Sequence, residues 1–192
     1  MRRVLIAVVV VLLFHSPLMA DAPGGTIAVY GDPQGESCYS YDLTPGLLQV
    51  YVIHLNHDGM TGSQFKVEID GKFDAVYLGE FPADPNDVTA GYAYEGIMMA
   101  YGTCMGSPTH ILTMSFYVQG NSPHCCAFRV VPHPLVDPPG LAAVNCDFDM
   151  LEAEGGTTYV NPDGTCACLV PGVSTPTLPT TWGKVKSLYA MD

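Results

Sequence analysis

The chain is poor in positive charge. Seven Lys and Arg stand against nineteen Asp and Glu in 192 residues, a formal net charge of −12 at pH 7. Such a balance repels nucleic acid and anionic membranes, so both are excluded as partners. Charged residues make up only 14% of the chain and apolar ones 48%, which excludes a disordered polymer. Helical periodicity is also lacking: between residues 21 and 168 no stretch of ten or more residues keeps it. Beyond the N-terminus no apolar run approaches the roughly 20 residues a bilayer span needs. There is no G-x-S-x-G, and the one Trp is Trp182.

Two features set the compartment. Arg2 and Arg3, the apolar run Val4–Phe14, and Leu18-Met19-Ala20 before Asp21 have the layout of a secretory signal peptide, residues 1–20. Its removal would leave five basic residues against all nineteen acidic ones. Seven cysteines follow, and in an exported chain disulfides are the default. Cys38, Cys104, Cys125, Cys146, Cys166 and Cys168 are the candidates for three bridges, with connectivity left open. Cys125 and Cys126 are adjacent and would point to opposite faces of a strand, which makes Cys126 the expected odd thiol.

The stretch Leu47–Asp70 organises the chain. Val50–Leu55 is apolar on both faces and reads as a deeply buried strand. Phe65, Val67 and Ile69 alternate with Gln64, Lys66, Glu68 and Asp70, as a half-buried strand requires. Further strands are expected at Thr26–Tyr30, Phe73–Phe81, Tyr92–Tyr101 with a bulge at Gly96, Ile111–Gln119, Ala127–Val131 and Leu141–Cys146. Met150–Val160 reads as a hairpin folded at Gly155-Gly156, and residues 83–90 as a turn-rich insertion. Eight or nine short strands imply an all-β, Ig-like or jelly-roll β-sandwich over residues 21–168. Residues 169–180 form a Pro/Thr-rich linker. In residues 181–192, Trp182, Val185 and Tyr189 are spaced three and four apart, which predicts a short amphipathic helical tail. That tail holds Lys184 and Lys186 and reads as a sorting or attachment element.

Several side-chain groups suggest chemistry. Tyr92 and Tyr94 would share a strand face and could stack a sugar. Asp84, Asp87, Asp147 and Asp149 offer oxygen ligands for calcium, without EF-hand spacing. His54, His57, His110, His124 and His133 could join cysteines at His124-Cys125-Cys126 or Cys166-Ala167-Cys168, but neither piece has zinc spacing. No metal or other cofactor is therefore expected, calcium being the one left open. No catalytic residues are assigned.

The sequence from Val50 to Asp70 resembles the opening of cohesin-like and carbohydrate-binding-module sandwiches. The pieces that match are Val50–Asn56, Gly59–Ser63 and Phe65–Asp70, and Ile111–Gly120 resembles a later core strand. The many cysteines and the missing Asp-Pro after the alternating strand depart from cohesins, so the resemblance implies the fold and carries over no binding residue. The expected protein is a secreted or cell-surface, non-enzymatic interaction or adhesion module whose partner is an extracellular protein or polysaccharide. A carbohydrate-binding module is the first alternative and a secreted hydrolase the second.

Overall fold

The computed structural model describes residues 22–136 and 140–170. The signal peptide and the helical tail expected from the sequence lie outside them. The strands are β1 Thr26–Tyr30, β2 Tyr39–Ser40, β3 Pro45–Leu55, β4 Met60–Ile69, β5 Ala75–Pro82, β6 Val88–Tyr92, β7 Gly96–Met105, β8 Thr109–Gln119, β9 Cys126–Val131, β10 Ala142–Asn145, β11 Met150–Glu152, β12 Glu154–Gly155 and β13 Thr157–Val160. They form two packed sheets. One runs β12-β1-β3-β8-β5. The other runs β11-β10-β4-β9-β13-β2, with β7 on β4 and β6 on β7.

The two strands of the organising stretch do not pair with each other. β3 lies between β1 and β8, and β4 joins the opposite sheet between β7, β9 and β10. The chain arches across the sandwich through Asn56–Gly59, where Asn56 takes a left-handed φ of 56°. Val50 and Val52 from one sheet meet Phe65 and Val67 from the other, all at 0% exposure. The alternation in β4 buries Phe65 and Val67 as its pattern requires, while Gln64 is buried as well. β8 supplies Leu112, Met114, Phe116 and Val118 to the same core.

Two sequence expectations are corrected. Tyr92–Tyr101 is not one strand with a bulge. The chain turns over Ala93–Glu95, where the Glu95 amide donates to the Tyr92 carbonyl at 3.0 Å, and β6 and β7 form a hairpin with Tyr92 opposite Gly96. The expected insertion at 83–90 thus contains the start of a strand. Nor is Met150–Val160 a hairpin. β11 pairs with β10, β12 runs parallel to β1, and β13 pairs with β9 and β2. Gly155-Gly156 is where the chain crosses from one sheet to the other. A Cβ on Gly155 would lie 1.9 Å from the Val130 carbonyl oxygen, and one on Gly156 would lie 2.6 Å from the Ala28 Cβ. The glycines serve close approach rather than a turn.

A second, smaller apolar cluster lies on the outer side of the five-stranded sheet. Ala28, Tyr30, Ile53 and Leu55 face outward from β1 and β3 and are buried beneath Cys38, Cys168 and Val170. The Asp32–Cys38 loop forms this cover, with the Asp32 carboxylate accepting the amides of Gln34 and Glu36 at 2.9 and 3.2 Å. The terminal segment closes it, because Leu169 and Thr157 exchange two backbone hydrogen bonds. The bridges are Cys38–Cys168, Cys104–Cys146 and Cys125–Cys166, which use all six candidates. Cys126 is the free, buried thiol at the head of β9.

Gly155→Ala should cost about 3 kcal/mol or more, because the backbone it meets cannot retract. Gly71→Ala, where a Cβ meets nothing within 4 Å, should shift stability by less than about 1 kcal/mol. Urea unfolding of the two variants checks both, and equal effects would refute the crossing-point account.

Candidate functional site

The outer cluster covers only half of its sheet face. On β1 and β3 the outward rows Ala28–Ile53 and Tyr30–Tyr51 sit under the loop and the terminal segment. Toward β8 and β5 the cover ends. There Leu47, Tyr117 and Val76 stand opposite one another across β3, β8 and β5. They are 65%, 44% and 58% exposed. Further along, the row Tyr51–Thr113–Phe81 ends in exposed Phe81, and the bulge in β5 pushes Leu78 outward. Three adjacent strands thus display exposed apolar side chains on either side of the polar row Gln49–Ser115–Gly79, in which the Gln49 amide donates to the Ser115 hydroxyl at 3.4 Å. Surfaces of this kind mark interaction sites. The sequence contained the signal as apolar residues on both faces of Phe73–Phe81, but only cross-strand register places Val76 beside Tyr117 and Leu47.

A separate aromatic group lies at the edge of the sandwich. Tyr92 ends β6 and Tyr94 sits in the turn, so the two do not share a strand face. Their rings are nonetheless brought together, 5.9 Å apart and 22° from parallel. Tyr77 meets Tyr94 edge-on at 5.1 Å. Glu80 holds this corner: it accepts the Tyr77 hydroxyl at 2.6 Å and the Ala93 amide at 2.9 and 3.0 Å. Burial raises the Glu80 pKa, while those two donors oppose the shift. Burial and the Glu80 carboxylate push Tyr77 upward. Both carboxylate oxygens are engaged in tying β5 to the β6–β7 turn. A cleft of about 860 Å³ opens beside this corner, with Lys66, Glu68, Phe73, Tyr94 and Arg129 on its walls.

The side chains weighed as metal ligands are held in other contacts. Asp84 closes its own turn by accepting the Asn86 amide at 2.8 Å, and Asp87 accepts the Gly102 amide at 3.0 Å. Asp147 and Asp149 flank a turn in which their amides donate to Asn145. Among the described residues, Cys125, Asp163 and Cys166 are the one converging group of three His, Cys or carboxylate donors, and two of its atoms are bridged sulfurs. His110 packs edge-on against Tyr51, His124 bonds the Asn161 carbonyl, and His133 accepts the Leu135 amide.

Sequence reasoning missed two buried polar nodes. Asp42, 1% exposed, accepts the amides of Gly120 and Ser122 at 2.7 and 3.1 Å, and Asn161 bonds the Asp42 backbone in both directions. The second node lies between the sheets. His54, 0% exposed, bonds the Gly24 carbonyl through Nε2 at 2.7 Å and the Tyr101 hydroxyl through Nδ1 at 3.3 Å. Tyr101 donates onward to Ser63 at 2.8 Å. The His57 ring packs 4.3 Å from that of His54, and among the described residues neither of its nitrogens has a side-chain or backbone partner within hydrogen-bond geometry. Burial holds His54 down at about 4; its bond to Gly24 pulls upward and His57 lowers it further.

No protein-family model matches the chain, and no curated protein matches it. Solved structures do. A cohesin module from a Clostridium perfringens family 33 glycoside hydrolase is 7% identical and aligns over 75% of this chain and 100% of its own, with a TM-score of 0.53. A non-cellulosomal cohesin from Archaeoglobus fulgidus is 11% identical over 73% of this chain and 91% of its own, at 0.46. The sixth cohesin of Acetivibrio cellulolyticus scaffoldin B, solved with a Cel5 dockerin, is 10% identical over 73% and 99%, also at 0.46. The fold is a cohesin-like β-sandwich, as the resemblance at Val50–Asp70 implied.

The His54 node makes stability depend on pH. The folded chain keeps His54 neutral down to about pH 4, whereas an unfolded imidazole protonates near 6.5. Between these values the unfolded state binds more protons. Stability is therefore full above 6.5 and falls as pH drops, by about 3 kcal/mol on reaching 4. Denaturant unfolding of wild type and His54→Gln across this window should show a shallower pH slope in the variant. Parallel slopes would contradict the assignment.

Proposed function

We propose that this is a non-catalytic, extracytoplasmic module that binds a protein partner through the outer face of its five-stranded sheet. The observation that carries the reading is the strip of Leu47, Tyr117 and Val76 with Leu78 and Phe81, apolar and exposed on three hydrogen-bonded neighbours. A regular sheet is rigid, so such a strip presents preorganised contacts, and a central Tyr is a common anchor in interfaces. The cohesin-like fold supports a binding module, and three disulfides support an oxidising compartment. Export by the N-terminal segment belongs to the same proposal.

Polysaccharide binding is a second reading, favoured by one observation: the exposed, near-parallel rings of Tyr92 and Tyr94 beside the cleft. It uses a different surface from the strip, so the two readings separate by mutation.

The test compares capture of extracellular proteins from the source culture by wild type, Val76→Lys/Tyr117→Lys, and Tyr92→Ala/Tyr94→Ala. The strip variant should lose saturable binding by roughly 30-fold, the factor expected when an interface anchor is removed. Its stability should change by less than about 0.5 kcal/mol, since both sites are at the surface. Unchanged binding in the strip variant would refute the proposal. Loss of glycan binding in the tyrosine variant would establish the second reading.

A further inference from the structure

Two features of the chain need each other. The uncovered half of the sheet face continues from the half that the chain itself covers: Tyr51 packs against the cluster of Ala28, Ile53 and Val170 and also belongs to the row ending in Phe81. The last described residue, Val170, is buried in that cluster, so the chain leaves the domain on this face. Twenty-two residues follow it.

Residues 171–180 contain Pro171, Pro176 and Pro179 among threonines. An extended Pro-rich segment of that length reaches about 30 Å. Crossing from β1 to β5 takes three strand spacings, about 15 Å. Residues 181–192 then carry Trp182, Val185, Leu188 and Tyr189 at helical spacing. Twelve residues of helix measure about 18 Å, against about 14 Å of strip between Thr113 and Tyr117 along β8. A helix this short is not stable alone and needs an apolar surface. Charge agrees. The described residues carry only Lys66, Lys72 and Arg129 against sixteen Asp and Glu, while the tail brings Lys184 and Lys186 and a single acid, Asp192.

We propose that residues 181–192 dock as an amphipathic helix on the β3–β8–β5 strip of their own domain, as an intramolecular occupant that a partner must displace. This rests on the strip being the binding face.

The experiment uses the full chain, in which Trp182 is the sole Trp. Its fluorescence should be blue-shifted, and its quenching by acrylamide several-fold weaker than in the free 171–192 peptide. The protein should remain monomeric, and the shielding should not vary with concentration. Val76→Lys/Tyr117→Lys, on the domain, and Val185→Asp/Tyr189→Asp, on the tail, should each restore quenching to the peptide's level. The second pair leaves the folded domain untouched and so separates undocking from misfolding. Equal quenching in wild type and peptide, shielding that survives the strip substitutions, or shielding confined to a dimer would each overturn the proposal. Partner capture distinguishes this from failure of the binding-face reading: an exposed Trp182 together with strip-dependent capture removes the tail and leaves the face.

Discussion

The Cys38–Cys168 bridge is the constraint on which the outer surface depends. It joins residues 130 apart in sequence and fastens the Asp32–Cys38 loop to the terminal segment above Ala28, Tyr30 and Ile53. Closing a loop of that length restricts the unfolded chain by about 5 kcal/mol in the chain-entropy account. Its structural effect is more specific. With the bridge closed, half of the five-stranded sheet becomes the floor of a second apolar layer. The other half remains open, and the proposed protein-binding face is that remaining half.

The second layer is tight. The Tyr30 hydroxyl is buried there without a hydrogen-bond partner among the described residues, and burial together with Asp32 pushes its pKa up to about 12. Inside the sandwich, His57 apart, the buried polar nodes are instead paired at junctions between distant segments. Asp42 and Asn161 tie the entry to β3 to the turn after β8 and the end of β13. His54, Tyr101 and Ser63 link β3, β7 and β4 across the core. Leaving one such donor or acceptor unmatched costs about 1–3 kcal/mol, so these nodes fix a single arrangement of loops over an apolar core. Glu80 does the same at the aromatic edge.

Much of the fold was legible in the sequence because strand alternation reports burial directly. Phe65 and Val67 announced an inward face, Val50–Leu55 a strand buried on both sides, and the adjacent pair at Cys125 and Cys126 the odd thiol. What failed was pairing. Gly155-Gly156 has the composition of a turn, yet the glycines are demanded by Val130 and Ala28, which approach from strands more than twenty residues away. Gly96 looked like a bulge and is the far side of a hairpin. Of the strip, only the apolar character of Phe73–Phe81 was legible. Leu47, Val76 and Tyr117 lie on three strands separated by up to seventy residues of chain, and nothing local says that they meet. Tyr92 and Tyr94 do meet, though through a turn rather than along a strand.

Amide hydrogen exchange on the Cys38→Ser/Cys168→Ser double variant tests most directly whether this bridge holds the cover in place. The account predicts that Gly31, Thr157 and Leu169 lose protection by orders of magnitude, while Val52 and Leu112 in the sandwich core keep theirs. Unchanged protection at Thr157 and Leu169 would contradict it, because the cover would then stand without its fastening.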